Sequence, residues 1–588
     1  MKLNISMKKR RLLIAALLIA LCIMIIVFAC VLNIPGLLGL KGPFGGLNPA
    51  AHSGTPGAAG TFGFTRHSNM TSTPLGPGSG AITANFGSRQ DTSHPISSDL
   101  LGMNASNFLG TINQASGYLH QANFQMIRVV TDFATIFPTP ASATDASQQN
   151  WNGYDHQMQR IVREGFHPIL MLGYAPTWMQ PQNQNPPQTN ECLVSPDPEA
   201  RTFPSHVKPV YIVNGADQGI AEWSLLATQA VAHMDRTFPG LNPDYEIWNE
   251  PDGVRYMCVT VNDPNPQNTK LTYYRAIYAA AAPRMKAQGQ RDNVFIRVGG
   301  PALAFVRDHA QLWFPTLVKD PAIYPYLDFI SYHHYFGNPA DTWNVGRLSL
   351  FGAMQDPSDG VVYEYEYISS VVHAGRQPNA RGTPIYIDEF NTYEGISSCC
   401  RYSMTYGPLW LSLFVADLLN SVNDTGSRFG AALAVPSGLL YFALSASTDG
   451  FCLIGSLTQL NCAVSGNMGP YPPYYAFQLL GDPNYLGIAN RGYITSPATT
   501  STPGLVVSDI YTASKDDILI VNTSGQSYLQ FGVLIQNPGP IQTKASVYTL
   551  SQAPRIATQQ VSLTPVNNGY EVVISVPAYS TVGLSMSL

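Results

Sequence analysis

Charged side chains are scarce in this sequence, since Asp, Glu, Lys and Arg together make up only 12% of its 588 residues. The formal net charge of −5 offers no basic surface for phosphate groups, so no nucleic-acid partner is expected. A repeat of fixed period is also lacking, which argues against a repeat architecture. The polar surface must come from uncharged hydroxyl and amide side chains. This balance suits work outside the cell on neutral, hydroxyl-rich ligands.

A long apolar run follows a basic cluster at the N-terminus. Lys8-Lys9-Arg10-Arg11 precede an uninterrupted apolar segment from Leu12 to Leu32, and a membrane-spanning helix needs about 20 such residues. Because basic residues stay on the cytoplasmic side, residues 1–33 are predicted to be a single-pass anchor in the cell membrane, with the rest of the chain outside. A cleaved signal peptide, giving a secreted protein, and lipid attachment at Cys30 are alternatives that also lead to export.

Two further parts of the chain stand out by composition. Residues 34–95 are rich in Gly, Pro, Ser and Thr without a helical or strand period, and they predict a flexible linker. Residues 491–588 hold β-rich runs separated by Gly, Pro and Asn. They predict a β-sandwich that packs on the preceding domain, with independent ligand binding as the alternative. Its candidate strands are Asp517–Val521, Gln530–Ile535, Ala545–Leu550 and Glu571–Val576.

Residues 96–490 alternate short apolar runs with longer amphipathic segments. This order predicts the α/β class and a (β/α)8 TIM barrel, in which catalytic side chains lie beyond the carboxyl ends of the strands. The candidate strands are Leu101–Ala105, Phe124–Val130, His167–Gly173, Tyr245–Trp248, Phe295–Val298, Phe329–Tyr332, Pro384–Ile387 and Leu439–Ala443. Candidate helices include Asp155–Gly165, Ile220–Phe238, Lys270–Gly289 and Tyr406–Val422. Pro283 should kink or end the third of these helices.

Two of the predicted strands end at a glutamate. The fourth ends in Trp248-Asn249-Glu250-Pro251, and the seventh ends in Asp388-Glu389-Phe390. Strands four and seven lie on opposite sides of an eight-stranded ring, so these carboxylates should face each other across its mouth. Such a pair can cleave a glycosidic bond, because one carboxyl group protonates the leaving oxygen while the other attacks the anomeric carbon. For either residue alone, a buried ion pair is the alternative.

The two motifs resemble those of the retaining glycoside hydrolases built on this barrel, and the sequence is most similar to family 39, the β-xylosidases and α-L-iduronidases, whose members also carry a β-sandwich. The resemblance implies Glu250 as acid/base, Glu389 as nucleophile and Asn249 as a ligand of the sugar 2-hydroxyl. It implies a hydrolase of O-glycosidic bonds in polysaccharide or oligosaccharide that needs no cofactor. A catalytically silent glycan-binding protein and a transglycosylase acting on surface polysaccharide remain alternatives.

Further site residues are expected on strand six and after strand three. His333 and Tyr335 share strand parity and match the His-x-Tyr that retaining hydrolases of this barrel clan place beside the nucleophile, so they should hydrogen-bond Glu389 or the sugar. His334 invites a metal interpretation, but neighbours on a strand diverge, and no metal is expected. Trp178 can stack on a sugar or fill the core. Hydrolases of this clan often end strand eight with a Trp that this chain lacks.

Other acidic groups near these strand ends have structural interpretations. Glu246 lies deeper in the barrel and should be neutralised by Arg128 or Arg297. Asp388 should face the helices, because it precedes Glu389 on the strand. Asp252, in the loop after strand four, is a secondary candidate for the site.

The cysteines outside the apolar anchor fall in loops at the predicted active-site end: Cys192, Cys258, Cys399, Cys400, Cys452 and Cys462. Because the protein is expected to be exported, at least one disulfide between neighbouring loops is predicted.

Overall fold

The computed structural model describes residues 82–87, 93–105, 108–336, 360–375, 383–392, 399–424, 426–444, 452–456, 468–489, 492–494, 498–540, 543–551 and 555–588. Within these residues no helix is both long and apolar enough to cross a membrane. The predicted anchor at residues 12–32 lies outside them.

Eight parallel strands close into a barrel in the order in which they occur along the chain. They are Leu101–Asn104, Met126–Asp132, His167–Gly173, Asp244–Ile247, Arg297–Leu303, Phe329–Phe336, Ile385–Thr392 and Gly438–Tyr441. The third strand, for example, is buried from Pro168 to Gly173, as expected of a strand that is covered on both faces. The predicted (β/α)8 barrel is confirmed.

The main helices connect these strands or follow the last of them: Phe108–Gln121, Asn152–Glu164, Gly219–Thr237, Pro266–Arg291, Val306–Lys319, Val361–Gly375, Cys399–Asn420 and Pro472–Gly481. Pro283 does not end its helix, which continues to Arg291. Ala281, Ala282 and Met285 around it are fully buried, so tertiary packing outweighs the local cost of a helical proline.

Two further sheets form the predicted β-sandwich. The larger contains, in order, Tyr493–Ile494, Leu505–Tyr511, Lys515–Asn522, Ser580–Ser587, Lys544–Leu550 and Ile556–Ser562. The smaller contains Thr499–Thr500, Ile82–Asn85, Tyr528–Gln536, Gly569–Val576 and Thr564–Val566. Ile518 and Ile520 of the larger sheet share a buried cluster with Val533 and Ile535 of the smaller. The sandwich therefore has its own core.

One strand of the sandwich comes from the segment predicted to be a linker. Ile82–Asn85 pairs in parallel with Tyr528–Gln536 and antiparallel with Thr499–Thr500. Ile82 and Ala84 are fully buried. A strand of four residues carries almost no periodicity of its own, and its pairing partners lie at the other end of the chain. The linker prediction for 34–95 therefore does not hold at 82–85.

The sandwich packs directly on the barrel. Ile510 and Leu519 of its larger sheet belong to the same buried apolar cluster as the barrel helices. Asn420, at the end of the helix Cys399–Asn420, donates from Nδ2 to the Val507 carbonyl at 2.9 Å. The expectation that this domain packs on the barrel is confirmed.

Candidate active site

The fourth barrel strand ends just before its glutamate. Its last strand residue is Ile247, and Trp248 and Glu250 follow with positive φ angles of 71° and 45°. The Glu250 N–H donates to the Ala302 carbonyl at 3.0 Å. Positive φ is unfavourable for such side chains, by roughly 1–3 kcal/mol each. The broken strand allows Asn249 and Glu250 both to reach the mouth of the barrel, as the sequence requires.

The seventh strand carries a β-bulge at its carboxyl end. Its register with the sixth strand shifts between Ile387 and Glu389, so Asp388 is the extra residue. Asp388 is fully buried, and its Oδ2 lies 3.2 Å from Arg128 Nε inside the barrel. The expectation that Asp388 faces the helices is therefore wrong, because a bulge breaks the alternation of side chains along a strand.

The two glutamates meet across His333. His333 Nδ1 lies 2.7 Å from Glu250 Oε1 and 3.4 Å from Glu389 Oε2. One atom from each of the three residues can be chosen so that all lie within 4.8 Å of one another. The Tyr335 hydroxyl donates to Glu389 Oε2 at 2.8 Å. The structure thus brings together four of the residues that were singled out in the sequence.

Arg128, on the second strand, organises the floor of this site and is 4% exposed. Its Nη1 donates to Glu389 Oε1 at 2.5 Å and its Nη2 donates to Asn249 Oδ1 at 2.7 Å. It also pairs with Glu246 at 2.6 Å, as expected, whereas Arg297 pairs with Asp244. The direct contact from Arg128 to Glu389 was missed in the sequence, although the inward position of Arg128 was recognised.

Several carboxyl groups share the single positive charge of Arg128. Burial and the negative charge of Glu246 raise the pKa of Asp388 well above its ordinary value. Burial opposes ionisation of Glu246 too, but the charge of Arg128 and hydrogen bonds from Asp388 and Ser331 hold its pKa below the usual value. These shifts favour the neutral form of Asp388, and Arg128 lies beside the carboxyl groups of both Glu246 and Glu389.

The histidine between the glutamates is uncharged near neutral pH. Burial lowers the pKa of His333 to about 4, although the charge of Glu389 opposes this shift. Its neighbour His334 points the other way, with Nδ1 2.6 Å from Glu364 Oε2. The two histidines diverge, as strand geometry requires.

Glu250, His333 and Glu389 are the group among the described residues that could hold a metal ion. The guanidinium group of Arg128 already contacts Glu389, so a cation at this position would meet a fixed positive charge. The same donor set suits proton transfer and nucleophilic attack, which need one neutral and one ionised carboxyl group.

Two other candidates from the sequence, Trp178 and Asp252, contact neighbouring loop residues. Trp178 donates from Nε1 to the Phe137 carbonyl at 2.9 Å and packs edge-on against Tyr211. These two contacts fix the orientation of its ring. Asp252 is 1% exposed and accepts the N–H groups of Ala304 and Phe305 at 2.9 Å each. It joins neighbouring loops instead of facing the glutamates.

The aromatic residue Phe442 follows the eighth strand, Gly438–Tyr441. The Phe442 ring lies 6.2 Å from the Tyr335 ring, measured between centroids. Phe442 therefore lies beside the tyrosine that hydrogen-bonds Glu389.

The loops after strands three and four are covalently joined. Cys192 and Cys258 form a disulfide, and the Cys258 N–H donates to the His206 carbonyl at 2.9 Å. The prediction of a disulfide between neighbouring loops is confirmed.

Comparison with known proteins identifies the fold. No protein-family model matches the sequence, and no curated protein matches it either. Among solved structures, a family 30 endoxylanase from Clostridium papyrosolvens is similar with a TM-score of 0.54 at 13% identity, over 86% of this chain and 100% of the other. A family 39 β-xylosidase from Caulobacter crescentus gives 0.53 at 14% identity, over 86% and 99%. An α-L-arabinofuranosidase from Thermotoga maritima gives 0.51 at 13% identity, over 87% and 100%.

At identities of 13–14%, these structural similarities establish the fold alone. Any activity must be argued from the residues of the site. The similarity covers the barrel together with the β-rich domain. It agrees with the resemblance to retaining glycoside hydrolases that the motifs at Glu250 and Glu389 suggest. The chain therefore has the (β/α)8-barrel fold, with an added β-rich domain, that is found in solved glycoside hydrolases of families 30 and 39.

Proposed function

We propose that the protein is a retaining glycoside hydrolase that cleaves O-glycosidic bonds of extracellular oligosaccharide or polysaccharide. The observation that carries this proposal is the closeness of Glu250 and Glu389, which present carboxylate oxygens within 4.8 Å of each other. A retaining enzyme needs its two carboxyl groups about 5–5.5 Å apart, whereas an inverting one needs about 6.5–9.5 Å to admit a water.

In the first step Glu389 attacks the anomeric carbon and Glu250 donates its proton to the leaving oxygen. The bond from that oxygen to the anomeric carbon breaks, and a covalent glycosyl ester with Glu389 forms. Arg128 and Tyr335 hold the carboxylate of Glu389 in place through its two oxygens. In the second step Glu250 removes a proton from water, which attacks the same carbon and releases the sugar with its configuration retained.

Asn249 and His333 are proposed to position the reacting groups. Asn249 is fixed by Arg128 at 2.7 Å and would hydrogen-bond the sugar 2-hydroxyl. His333 contacts both glutamates while remaining neutral, so it can orient each carboxyl group without adding a charge.

The test is hydrolysis of aryl glycosides. Because the similar solved proteins include a xylanase, a xylosidase and an arabinofuranosidase, the panel should contain nitrophenyl β-D-xylosides, β-D-glucosides and α-L-arabinofuranosides. We expect release of nitrophenol from at least one of them, with the first-formed sugar in the substrate's own configuration by proton NMR. A first product of inverted configuration would contradict the mechanism. Sugar binding without turnover would favour the silent glycan-binding alternative, and transfer of the sugar to an acceptor would favour the transglycosylase.

We also propose that the barrel works outside the cell, held by the apolar segment Leu12–Leu32 or released after its cleavage. The four basic residues before this segment should stay in the cytoplasm, because moving their charges across the bilayer is unfavourable. If the segment is an anchor, protease added to intact cells should remove the barrel domain while a cytosolic marker survives. A barrel that stays protected while a surface protein is digested would contradict this location.

A further inference from the structure

The backbone at Glu250 has a conformation that is unfavourable for glutamate. Its φ angle is 45°, in the left-handed region where a side chain with a Cβ crowds the backbone. A residue stays in this region only where the surrounding structure enforces it. Because Glu250 lies beyond Ile247, the last residue of the fourth strand, the regular pairing of that strand does not supply the constraint. It must come from the residues that follow.

Asp252 joins the turn at Glu250 to the next strand of the barrel. It is 1% exposed, and its two carboxylate oxygens accept the N–H groups of Ala304 and Phe305 at 2.9 Å each. Both of these residues directly follow the fifth strand, Arg297–Leu303. A carbonyl of the same strand accepts the Glu250 N–H at 3.0 Å. The short segment from residue 250 to 252 is therefore fixed to the end of the fifth strand at two points.

The carboxylate of Asp252 also lies at the start of a helix. Phe305 is the N-cap residue of the helix Val306–Lys319, and N–H groups at the start of a helix have no acceptor within it. A negative charge is favoured at this end of the helix dipole. His309, in the first turn, adds a further contact, with its Nδ1 3.0 Å from Asp252 Oδ2. The start of this helix therefore holds the side chain of Asp252 in one orientation.

The main chain of Asp252 is fixed by a second helix. Its carbonyl oxygen accepts hydrogen bonds from Gln267 Nε2 and Lys270 Nζ, both at 2.9 Å, and these residues belong to the first turns of the helix Pro266–Arg291. Lys270 is 1% exposed. Burial lowers its pKa to about 8, and the negative charge of Asp252 opposes this shift. Asp252 is thus held by one helix through its side chain and by another through its carbonyl.

These contacts bear on Glu250 and not on Glu389. Only Pro251 separates Asp252 from Glu250, and the proline ring fixes φ at that position, so a displacement of Asp252 is passed on to Glu250. A misplacement of about 1 Å in a reacting group can cost about 100-fold in rate. The carboxylate of Glu389 is held separately by Arg128 on the second strand and by a tyrosine on the sixth.

We propose that Asp252 is a positioning residue for the acid/base. Its contacts with the two helices hold the backbone at Glu250 in the left-handed conformation that presents the carboxyl group to the leaving oxygen. This proposal rests on the proposed function of Glu250. It assigns Asp252 to the steps that move a proton through Glu250, and it gives Asp252 no part in the attack by Glu389.

The kinetic test compares Asp252→Asn with Asp320→Asn. Asparagine keeps the size of the side chain but lacks the charge and one of the two acceptor oxygens. Asp320 is a matched control, because it is 9% exposed and accepts the Ala322 N–H at 2.9 Å at the far end of the same helix. The substrates are the phenyl and 2,4-dinitrophenyl glycosides of the sugar that the wild-type protein hydrolyses.

For Asp252→Asn we expect kcat/KM on the phenyl glycoside to fall about 10–100-fold, because its departure needs a well-placed acid. On the 2,4-dinitrophenyl glycoside, which departs without protonation, kcat/KM should stay within about threefold. Asp320→Asn should change neither value by more than about threefold. Equal losses on the two substrates in Asp252→Asn, or no loss on the phenyl glycoside, would overturn the proposal.

His309→Ala is the second variant, used if Asp252→Asn does not fold. It removes one contact of the carboxylate and leaves Lys270 with the neighbouring negative charge. The same selective loss on the phenyl glycoside is expected, of about threefold to tenfold for one hydrogen bond. Thermal melting shows whether each variant is folded at the assay temperature. An unselective loss, or none, in His309→Ala would count against Asp252 in the same way.

Crystal structures separate the positioning role from the proposed activity. In the wild-type protein Glu250 Oε1 lies 2.7 Å from His333 Nδ1. In Asp252→Asn we expect the Glu250 carboxyl group to lie beyond hydrogen-bond distance of His333, with Glu389 unmoved. A Glu250 that stays in place would overturn the proposal. If the wild-type protein hydrolyses no glycoside while Glu250 moves in Asp252→Asn and not in Asp320→Asn, the positioning role stands and the proposed hydrolysis falls.

Discussion

Replacing Glu389 by Gln should abolish turnover of every glycoside, with kcat falling on the order of 10⁴-fold or more. The amide keeps the size of the side chain but cannot attack the anomeric carbon, so no covalent intermediate forms. Arg128 and Tyr335 lose the carboxylate that they contact, while the rest of the site keeps its partners. Steady-state rates with 2,4-dinitrophenyl glycosides measure the loss. These substrates need no protonation of the leaving group, so their rates report on the nucleophile.

Asp388→Asn is the matched control for this variant. Asp388 is adjacent in sequence and contacts the same Arg128, and burial and the charge of Glu246 raise its pKa well above the ordinary value, which favours its neutral form. Asparagine preserves that neutral form, so kcat should stay within about tenfold of the wild-type value, which is about 1.4 kcal/mol in the barrier. A similar collapse in both variants would trace the loss to disturbed buried charges and not to a missing nucleophile.

Replacing Glu250 by Ala should have an effect that depends on the leaving group. A 2,4-dinitrophenolate departs without protonation, so hydrolysis of such a glycoside should fall only modestly. Substrates with poor leaving groups should lose about 10²–10⁴-fold, the usual contribution of a general acid. Azide added to this variant should restore the rate and yield a glycosyl azide with the substrate's own anomeric configuration, which NMR identifies.

The wild-type protein and a second variant provide the comparison. Azide should not accelerate the wild-type protein, whose carboxylate at residue 250 already activates water. In Glu389→Ala, azide would attack from the side that Glu389 vacates and yield the opposite configuration. If Glu250→Ala lost equal activity on good and poor leaving groups, or gave the inverted azide, its assignment as acid/base would be wrong.

The barrel could be predicted from the sequence because its evidence is local. Each strand is a short apolar run followed by a helical period, and the order of these elements determines which strand ends lie opposite each other. Glu250 and Glu389 could be singled out for that reason. His333 and Tyr335 could be placed on one face by parity alone, and both contact the glutamates in the structure.

The features that could not be predicted depend on irregular strand geometry or on contacts between residues far apart in the sequence. Asp388 points inward because of a bulge at the end of its strand, and parity holds only for a strand without one. The contact from Arg128 to Glu389 crosses the interior of the closed barrel between the second and seventh strands, which are not neighbours in the sheet.

The strand Ile82–Asn85 has a mechanical consequence. The chain contributes a strand to the sandwich before it enters the barrel and returns to the sandwich after leaving it, so the barrel is an insertion between two parts of one sandwich. A pull on the chain before Ile82, such as the proposed membrane tether would exert, is borne first by the hydrogen bonds that join this strand to Tyr528–Gln536 and Thr499–Thr500. The load passes into the sandwich and spares the barrel strands that carry Glu250 and Glu389.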